Sequence, residues 1–323
     1  MRINSTKGYI NFVYYIKPLK ELRNLQKSAI ERGLNEVILQ QYDYICKNST
    51  ESEYKARKNI IVVLATCFTL LLISVNVVNT ILSARCLLPS NYFVWEATRP
   101  LADCSYCENV TKPIILRNIT RQDFVQYSYT SRPIIVKNAV THWKATKEFS
   151  FNMFKRLYEE TEGSYESLDE GCQFLNFKTD LFSLKEVFSM PNARAKNEPG
   201  QEPWYVGWGN CHPEILSKVR KYYSIPDFLP EDAEFPATEN IFFGYEIGAV
   251  MHLDYIPRLM WQGQVQGNKT WTIAPVPECD HKCHKFEYYV EPGDIVLLDT
   301  RVWYHATSIP KGQFSLTVQS EYG

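Results

Sequence analysis

The sequence predicts a mainly β domain, a small barrel or double-sheet roll with helices packed on one side, carried behind a single transmembrane helix. Three observations lead there. From Met251 onward, short strand-like runs are separated by turn residues at Gly267-Asn268, 275–277, Pro292-Gly293 and 310–312. Helical patterns precede these strands, an order that suggests helices segregated to one face of an antiparallel sheet. Ahead of both, residues 60–82 form an apolar run of 23 residues without a charge.

In chain order, residues 1–59 read as a cytoplasmic tail, with eleven Lys or Arg against six Asp or Glu over residues 1–58. Pro18, Leu19, Leu22, Leu25, Ala29 and Ile30 mark a short amphipathic helix, with proline in its first turn and Gly33 near its end. As a helix, residues 60–82 reach about 35 Å, enough to cross a hydrocarbon core of about 30 Å. The run is too long, and too far from the N-terminus, for a secretory signal. Lys55, Arg57 and Lys58 precede it and only Arg85 follows closely. The positive-inside bias then keeps the N-terminus cytoplasmic and sends residues 86–323 into the ER or Golgi lumen or outside the cell. Residues 83–130 show little periodicity and read as a lumenal stalk. The folded domain is expected over 131–323. It opens on a strand at Pro133-Ile134-Ile135-Val136, followed by a helix capped by Ser150 that carries Phe151, Phe154, Leu157 and Tyr158 on one side. Residues 184–190 and 215–223 read as short helices, and 204–208 and 241–245 as strands.

With 45% hydrophobic and 14% aromatic residues, the chain can bury one sizeable core. A formal net charge of -1 provides no field to draw nucleic acid, which argues against that class of partner. Seven of the nine cysteines lie beyond the apolar run: Cys86, Cys104, Cys107, Cys172, Cys211, Cys279 and Cys283. In an oxidising lumen these read as disulfides. Cys104-Ser105-Tyr106-Cys107 and the stretch Cys279-Asp280-His281-Lys282-Cys283-His284 leave two other readings open, a redox pair or a shared zinc site. Seven is odd, and Cys86, beside the membrane, is the candidate for a free thiol or a disulfide-linked dimer. Asn109-Val110-Thr111 and Asn118-Ile119-Thr120 are glycosylation acceptors. Asn268-Lys269-Thr270 is a formal third, expected to be unmodified because a glycan there would crowd the pocket that Lys269 enters.

Histidine is scarce, at positions 142, 212, 252, 281, 284 and 305. His252 and Asp254 are two apart, so on a strand both side chains face the same way. His305, next to a strand pattern, completes a set of two histidines and one carboxylate, the facial arrangement of non-haem ferrous sites. A lone His-x-Asp pair is more often a surface feature than a ligand pair; the surrounding stretch changes that balance. Nucleophile-elbow, phosphate-loop and dinucleotide signatures are missing from the sequence.

That stretch, from His252-Leu253-Asp254 through 261–271 and Glu291-Pro292-Gly293-Asp294 to His305, resembles the JmjC/cupin-like (cupin_8 type) family of Fe(II)- and 2-oxoglutarate-dependent oxygenases. The likeness covers residues 133–322. It implies a double-stranded β-helix (jelly-roll or cupin barrel) with the metal in its mouth, held by His252, Asp254 and His305. It also implies that Lys269, in Gly267-Asn268-Lys269-Thr270-Trp271, grips the distal carboxylate of 2-oxoglutarate by a charge-assisted bond. Trp261 and Gln262 resemble the aromatic–amide pair of the same pocket, and Thr317 and Gln319 stand where polar pocket residues are found. Two departures are visible: Ala249 replaces the hydroxyl residue many relatives carry three before the first histidine, and the segment between Lys269 and His305 is short.

The expectation is a single-pass type II membrane dioxygenase. It would use Fe(II) and 2-oxoglutarate, with ascorbate as reductant, to hydroxylate a protein or peptide side chain. Trp204, Tyr205, Trp208, Tyr255 and Trp303 are expected to line its pocket. The alternative reading is a non-catalytic cupin-like binding or scaffold protein in the membrane.

Overall fold

The computed structural model describes residues 21, 23–25, 27–33, 35–83, 92–170 and 172–323. Pro18, Leu19 and Leu22 of the expected amphipathic helix, and Cys86 of the expected dimer link, lie outside the described residues. The chain divides into two units, one through Val94 and one from Trp95 to Gly323.

In the first unit, Glu36–Ser83 is one continuous helix. Its part Tyr54–Ser83 is long and apolar enough to cross a membrane, and the apolar window is uncovered by the rest of the chain. The polar residues of the run do not interrupt it. Thr66, Ser74 and Thr80 hydroxyls and the Asn76 amide each donate to the carbonyl four residues back, at 2.8–3.1 Å. Bonding back to the helix satisfies these four donors without water.

The second unit is mainly β with flanking helices. An eight-stranded sheet has the order β1-β2-β9-β6-β11-β5-β4-β3, and a three-stranded sheet the order β10-β7-β8. The strands are β1 (Ile114–Arg117), β2 (Ile134–Lys137), β3 (Phe174–Leu175), β4 (Tyr205–Asn210), β5 (Glu239–Tyr245), β6 (Leu259–Gly267), β7 (Lys269–Pro275), β8 (Phe286–Val290), β9 (Ile295–Leu298), β10 (Trp303–Ser308) and β11 (Phe314–Tyr322). All pairings are antiparallel except β1 with β2. The double-sheet expectation is met. The compact unit, however, already begins at Trp95, so the segment read as a stalk contributes β1, a short helix and half of two disulfides.

Strand alternation divides the core in two. On the outer face of the large sheet, Trp204, Trp208, Phe243, Trp261 and Val318 pack under the helices, against Trp143, Phe154 and Tyr158. Between the sheets, Ile135, Met260, Val296 and Leu298 of the large sheet meet Trp271, Ile273, Tyr288 and Trp303 of the small one. Helix Phe151–Glu159 starts where Ser150 Oγ accepts the Met153 amide at 3.2 Å, which turns Phe154 and Tyr158 into the first core. Burying a side chain the size of Phe154 contributes about 1.5–3 kcal/mol. The turn Glu291-Pro292-Gly293-Asp294 is structural: fully buried Asp294 accepts the Glu291 and Asn138 amides and pairs with Lys137 Nζ at 2.6 Å.

The cysteines settle into Cys104–Cys279, Cys107–Cys283 and Cys172–Cys211. The two Cys-x-x-Cys and Cys-x-x-x-Cys pairs thus cross-link each other instead of acting as a redox pair or a zinc knuckle. Closing a long loop constrains the unfolded chain most, and a second bridge beside the first closes only a small additional ring. Removing Cys107–Cys283 by a double Ser substitution should therefore cost about 2 kcal/mol, and removing both staples about 5 kcal/mol or more. Urea unfolding of the solubilised chain checks this; equal losses in the two variants would contradict the nested-ring account.

Candidate metal centre

Gly248 sets the site up. It has φ +103, and a Cβ there would stand 2.2 Å from the Thr307 carbonyl oxygen, so glycine permits the following segment to lie directly against β10. Along that contact the Thr307 amide donates to the Ala249 carbonyl at 3.0 Å, and the Ala249 amide donates to Thr307 Oγ1 at 2.9 Å. His252 and His305 then exchange both backbone hydrogen bonds, at 3.1 and 2.9 Å, as an isolated antiparallel bridge. His252 and Asp254 are therefore not on a regular strand. The chain is nevertheless extended there, the Asp254 amide donating to the Thr300 carbonyl at 3.0 Å, and the two-residue spacing still brings both side chains together.

The outcome is a cluster of His252, Asp254 and His305 whose ligand atoms all lie within 4.8 Å of one another. Asp254 Oδ1 is 3.3 Å from His252 Nε2, and Oδ2 is 3.7 Å from His305 Nε2. The ring centroids of the histidines are 4.2 Å apart. His252 Nδ1 lies 2.6 Å from the Val250 carbonyl and His305 Nδ1 3.2 Å from the Trp303 carbonyl. In the tautomer with its proton on Nδ1, each ring satisfies its carbonyl and presents an Nε2 lone pair, the form a metal needs; a further proton on Nε2 lets the same ring pair with Asp254. Burial lowers the His305 pKa to about 4, overriding the Asp254 charge that works against it. At Asp254 burial pushes the pKa up, but the charge of protonated His305 and His252 and hydrogen bonds from His252 and Thr300 outweigh it and hold the carboxyl below its ordinary value. The Trp271 ring stacks against His305 at 5.7 Å.

Lys269 opens β7 directly after the tight turn at Gly267, which has φ +65 and would place a Cβ 1.7 Å from the Phe314 carbonyl oxygen. Alternation on β7 sends Lys269, Trp271 and Ile273 inward. The Lys269 ammonium is buried, donating to Tyr205 Oη at 2.7 Å and to Gln262 Oε1 at 3.3 Å. Gln262 Nε2 donates onward to Gln319 Oε1 at 2.7 Å. Among the described residues no carboxylate pairs with Lys269, and burial alone lowers its pKa to about 7. One cavity contains the whole arrangement, with His252, Asp254, His305, Lys269, Gln262 and Gln319 in its lining. Thr317, two residues before Gln319 on β11, is not among the residues lining that cavity; it is fully buried, and its hydroxyl finds no partner among the described residues.

The expected aromatic lining is corrected by alternation. Tyr205 faces the cavity, whereas its neighbours Trp204 and Trp208 face the helix-covered core, and Trp261 does so beside inward-facing Gln262. Trp303 shares the face of His305 but lies one pleat away, its Nε1 donating to the Ser131 carbonyl at 2.7 Å. Tyr255 borders an adjoining groove. The sequence reading did not single out Gln173, Asn240, Thr307 and Glu321, which also line the cavity. Counting by twos from His305 and Gln319 would have found Thr307 and Glu321.

No family model matches the chain. Among solved structures it is similar to the ribosomal oxygenase YcfD of Escherichia coli, with TM-score 0.40 and 16% identity over 63% of this chain and 52% of that one. Two further YcfD structures give TM-scores of 0.39 and 0.38 at 14% identity, over 64% and 66% of this chain and 53% of each of theirs. The matched region thus spans about half the length of these proteins.

Lys269 provides a pH test of the site. Its folded pKa of about 7 lies below the unfolded value, so the cost of burying it is full below pH 7 and is lifted as pH rises toward 10.5. Lys269→Met should be more stable than wild type by roughly 1–3 kcal/mol at pH 6.5. The gap should close toward pH 10 in urea unfolding. A gap independent of pH would show that the lysine is not buried as a cation.

Proposed function

We propose that this protein is an Fe(II)- and 2-oxoglutarate-dependent dioxygenase that hydroxylates a protein or peptide side chain. The observation that carries the reading is the coexistence, in one cavity, of a two-histidine, one-carboxylate cluster and a buried ammonium with no carboxylate partner among the described residues. His252, Asp254 and His305 form one ligand face and leave the other side to a chelating co-substrate and oxygen. The residues that line the cavity fit that co-substrate: Lys269 has no carboxylate partner among the described residues, and Gln262, Gln319 and Tyr205 offer polar groups beside it.

When bound, iron supplies the oxidation that places one oxygen atom of O2 on a substrate C–H bond and the other in succinate, with loss of CO2 from 2-oxoglutarate. The chain's own residues do the positioning. Lys269 and Tyr205 hold the distal carboxylate, and the carboxylate's charge restores the lysine proton that burial disfavours. Gln262 and Gln319 fix the lysine's direction by their mutual hydrogen bond. Leu175, Phe177 and Phe242 form the apolar wall that keeps water from this end.

In the same reading, residues 1–59 are cytoplasmic, residues 60–82 cross the membrane and the β domain faces a secretory lumen or the cell surface. An uncovered apolar helix and three disulfides support this, as do exposed Asn109 and Asn118 in the two glycosylation triplets.

Succinate release by the full-length chain with Fe(II), ascorbate and 2-oxoglutarate tests the reaction. Asp254→Ala should abolish the signal while leaving thermal unfolding of the domain cooperative. Lys269→Met should raise the KM for 2-oxoglutarate by roughly 10–100-fold, as loss of a charge-assisted bond of about 1.5–3 kcal/mol requires. Full activity in Asp254→Ala would overturn the assignment.

A further inference from the structure

The segment Trp95–Cys107 has no part in the chemistry above, yet it reaches the metal centre. At its far end it is fixed twice to the turn between β7 and β8, by Cys104–Cys279 and Cys107–Cys283. Between these points Arg99 grips Glu278 through both Nη atoms, at 2.6 and 2.7 Å, and Glu278 also accepts the Ala102 amide at 3.1 Å. Tyr106 Oη donates to the Val302 carbonyl at 2.7 Å, immediately before β10. At the near end, Trp95 packs edge-on against Tyr255 with ring centroids 4.2 Å apart.

Glu96 is the important member. One of its oxygens, Oε1, accepts from Tyr255 Oη at 3.0 Å and from Tyr304 Oη at 2.5 Å, while Oε2 accepts Arg99 Nε at 3.0 Å. Tyr255 follows the ligand Asp254, and Tyr304 precedes the ligand His305. A single carboxylate therefore ties together the two chain segments, far apart in sequence, that must hold one ion between them. Burial works against the Glu96 charge, but hydrogen bonds from Tyr304, Arg99 and Tyr255 hold its carboxyl below its ordinary pKa.

We infer that Glu96 is a positioning residue for the metal centre: by bridging Tyr255 and Tyr304 it sets the separation of Asp254 and His305, and the disulfide-pinned strap 95–107 holds it there. The inference rests on the metal reading proposed above. Groups behind the ligands usually fix geometry and contribute about 10–100-fold to metal affinity. They do so because a ligand pair free to drift must be ordered at the moment of binding.

The test uses the full-length chain in detergent, stripped of metal and titrated with Co(II) as a spectroscopic stand-in for Fe(II). Glu96→Gln keeps the side chain's shape but weakens the double acceptor. The Tyr255→Phe/Tyr304→Phe double variant leaves Glu96 paired with Arg99, so it stands in should the first fail to fold. Both should lose about tenfold or more in Co(II) affinity and show an altered visible spectrum. Wild-type affinity and an unchanged spectrum in both variants would overturn the inference, even if their metal-free melting temperatures fall, because a purely structural role predicts that pattern. Absence of Co(II) binding by wild type would overturn the metal reading, and this inference with it.

Discussion

Two backbone hydrogen bonds exchanged between His252 and His305 organise the cluster these residues form with Asp254. They place two imidazoles side by side without relying on side-chain packing alone, and they exist because Gly248 lets the chain lie against Thr307 where any Cβ would collide. Asp254 needs only the extended geometry that follows to join them. Each imidazole is then oriented by a carbonyl two residues away in its own segment, so the ligand atoms are preset in direction as well as in distance.

Around this centre the charge arrangement is uneven. The mouth carries the Asp254 carboxylate between two histidines, and the far end carries the buried Lys269 ammonium, whose hydrogen-bond partners among the described residues are the neutral Tyr205 and Gln262. A buried cation without an anion costs folding free energy, and its retention makes sense if the anion arrives as a ligand. Under the proposed reading, a dicarboxylate would meet Lys269 at one end of the cavity and the His252–Asp254–His305 cluster at the other. The disulfides contribute at a distance, by fixing the strap that carries Glu96 to the tyrosines beside Asp254 and His305.

The closeness of His252 to Asp254 was legible from their two-residue spacing in an extended segment, whereas the place of His305 and the inward turn of Lys269 were legible only through the family resemblance. Alternation, not applied strictly, misplaced Trp204, Trp208 and Trp261, each of which is next to an inward-facing residue and must therefore face outward. Tyr205 was visible as an aromatic residue but not as the partner of Lys269, since their bond spans 64 residues. Glu96 was out of reach altogether, its bonds to Tyr255 and Tyr304 spanning 159 and 208 residues through a segment that looked like a stalk. Lacking periodicity, that segment gave no sign of being folded; its order comes from two disulfides, the Arg99–Glu278 ion pair, the β1–β2 pairing and isolated buried anchors such as Val110 and Phe124.

Joint occupancy of the cavity by one iron and one 2-oxoglutarate can be measured without knowing the substrate. Metal-depleted full-length protein, titrated anaerobically with Fe(II) and 2-oxoglutarate, should develop a visible charge-transfer band only when both are present. The band should saturate at one of each per chain and be absent from His305→Ala. Failure of wild type to develop the band while its fold is intact would contradict the account.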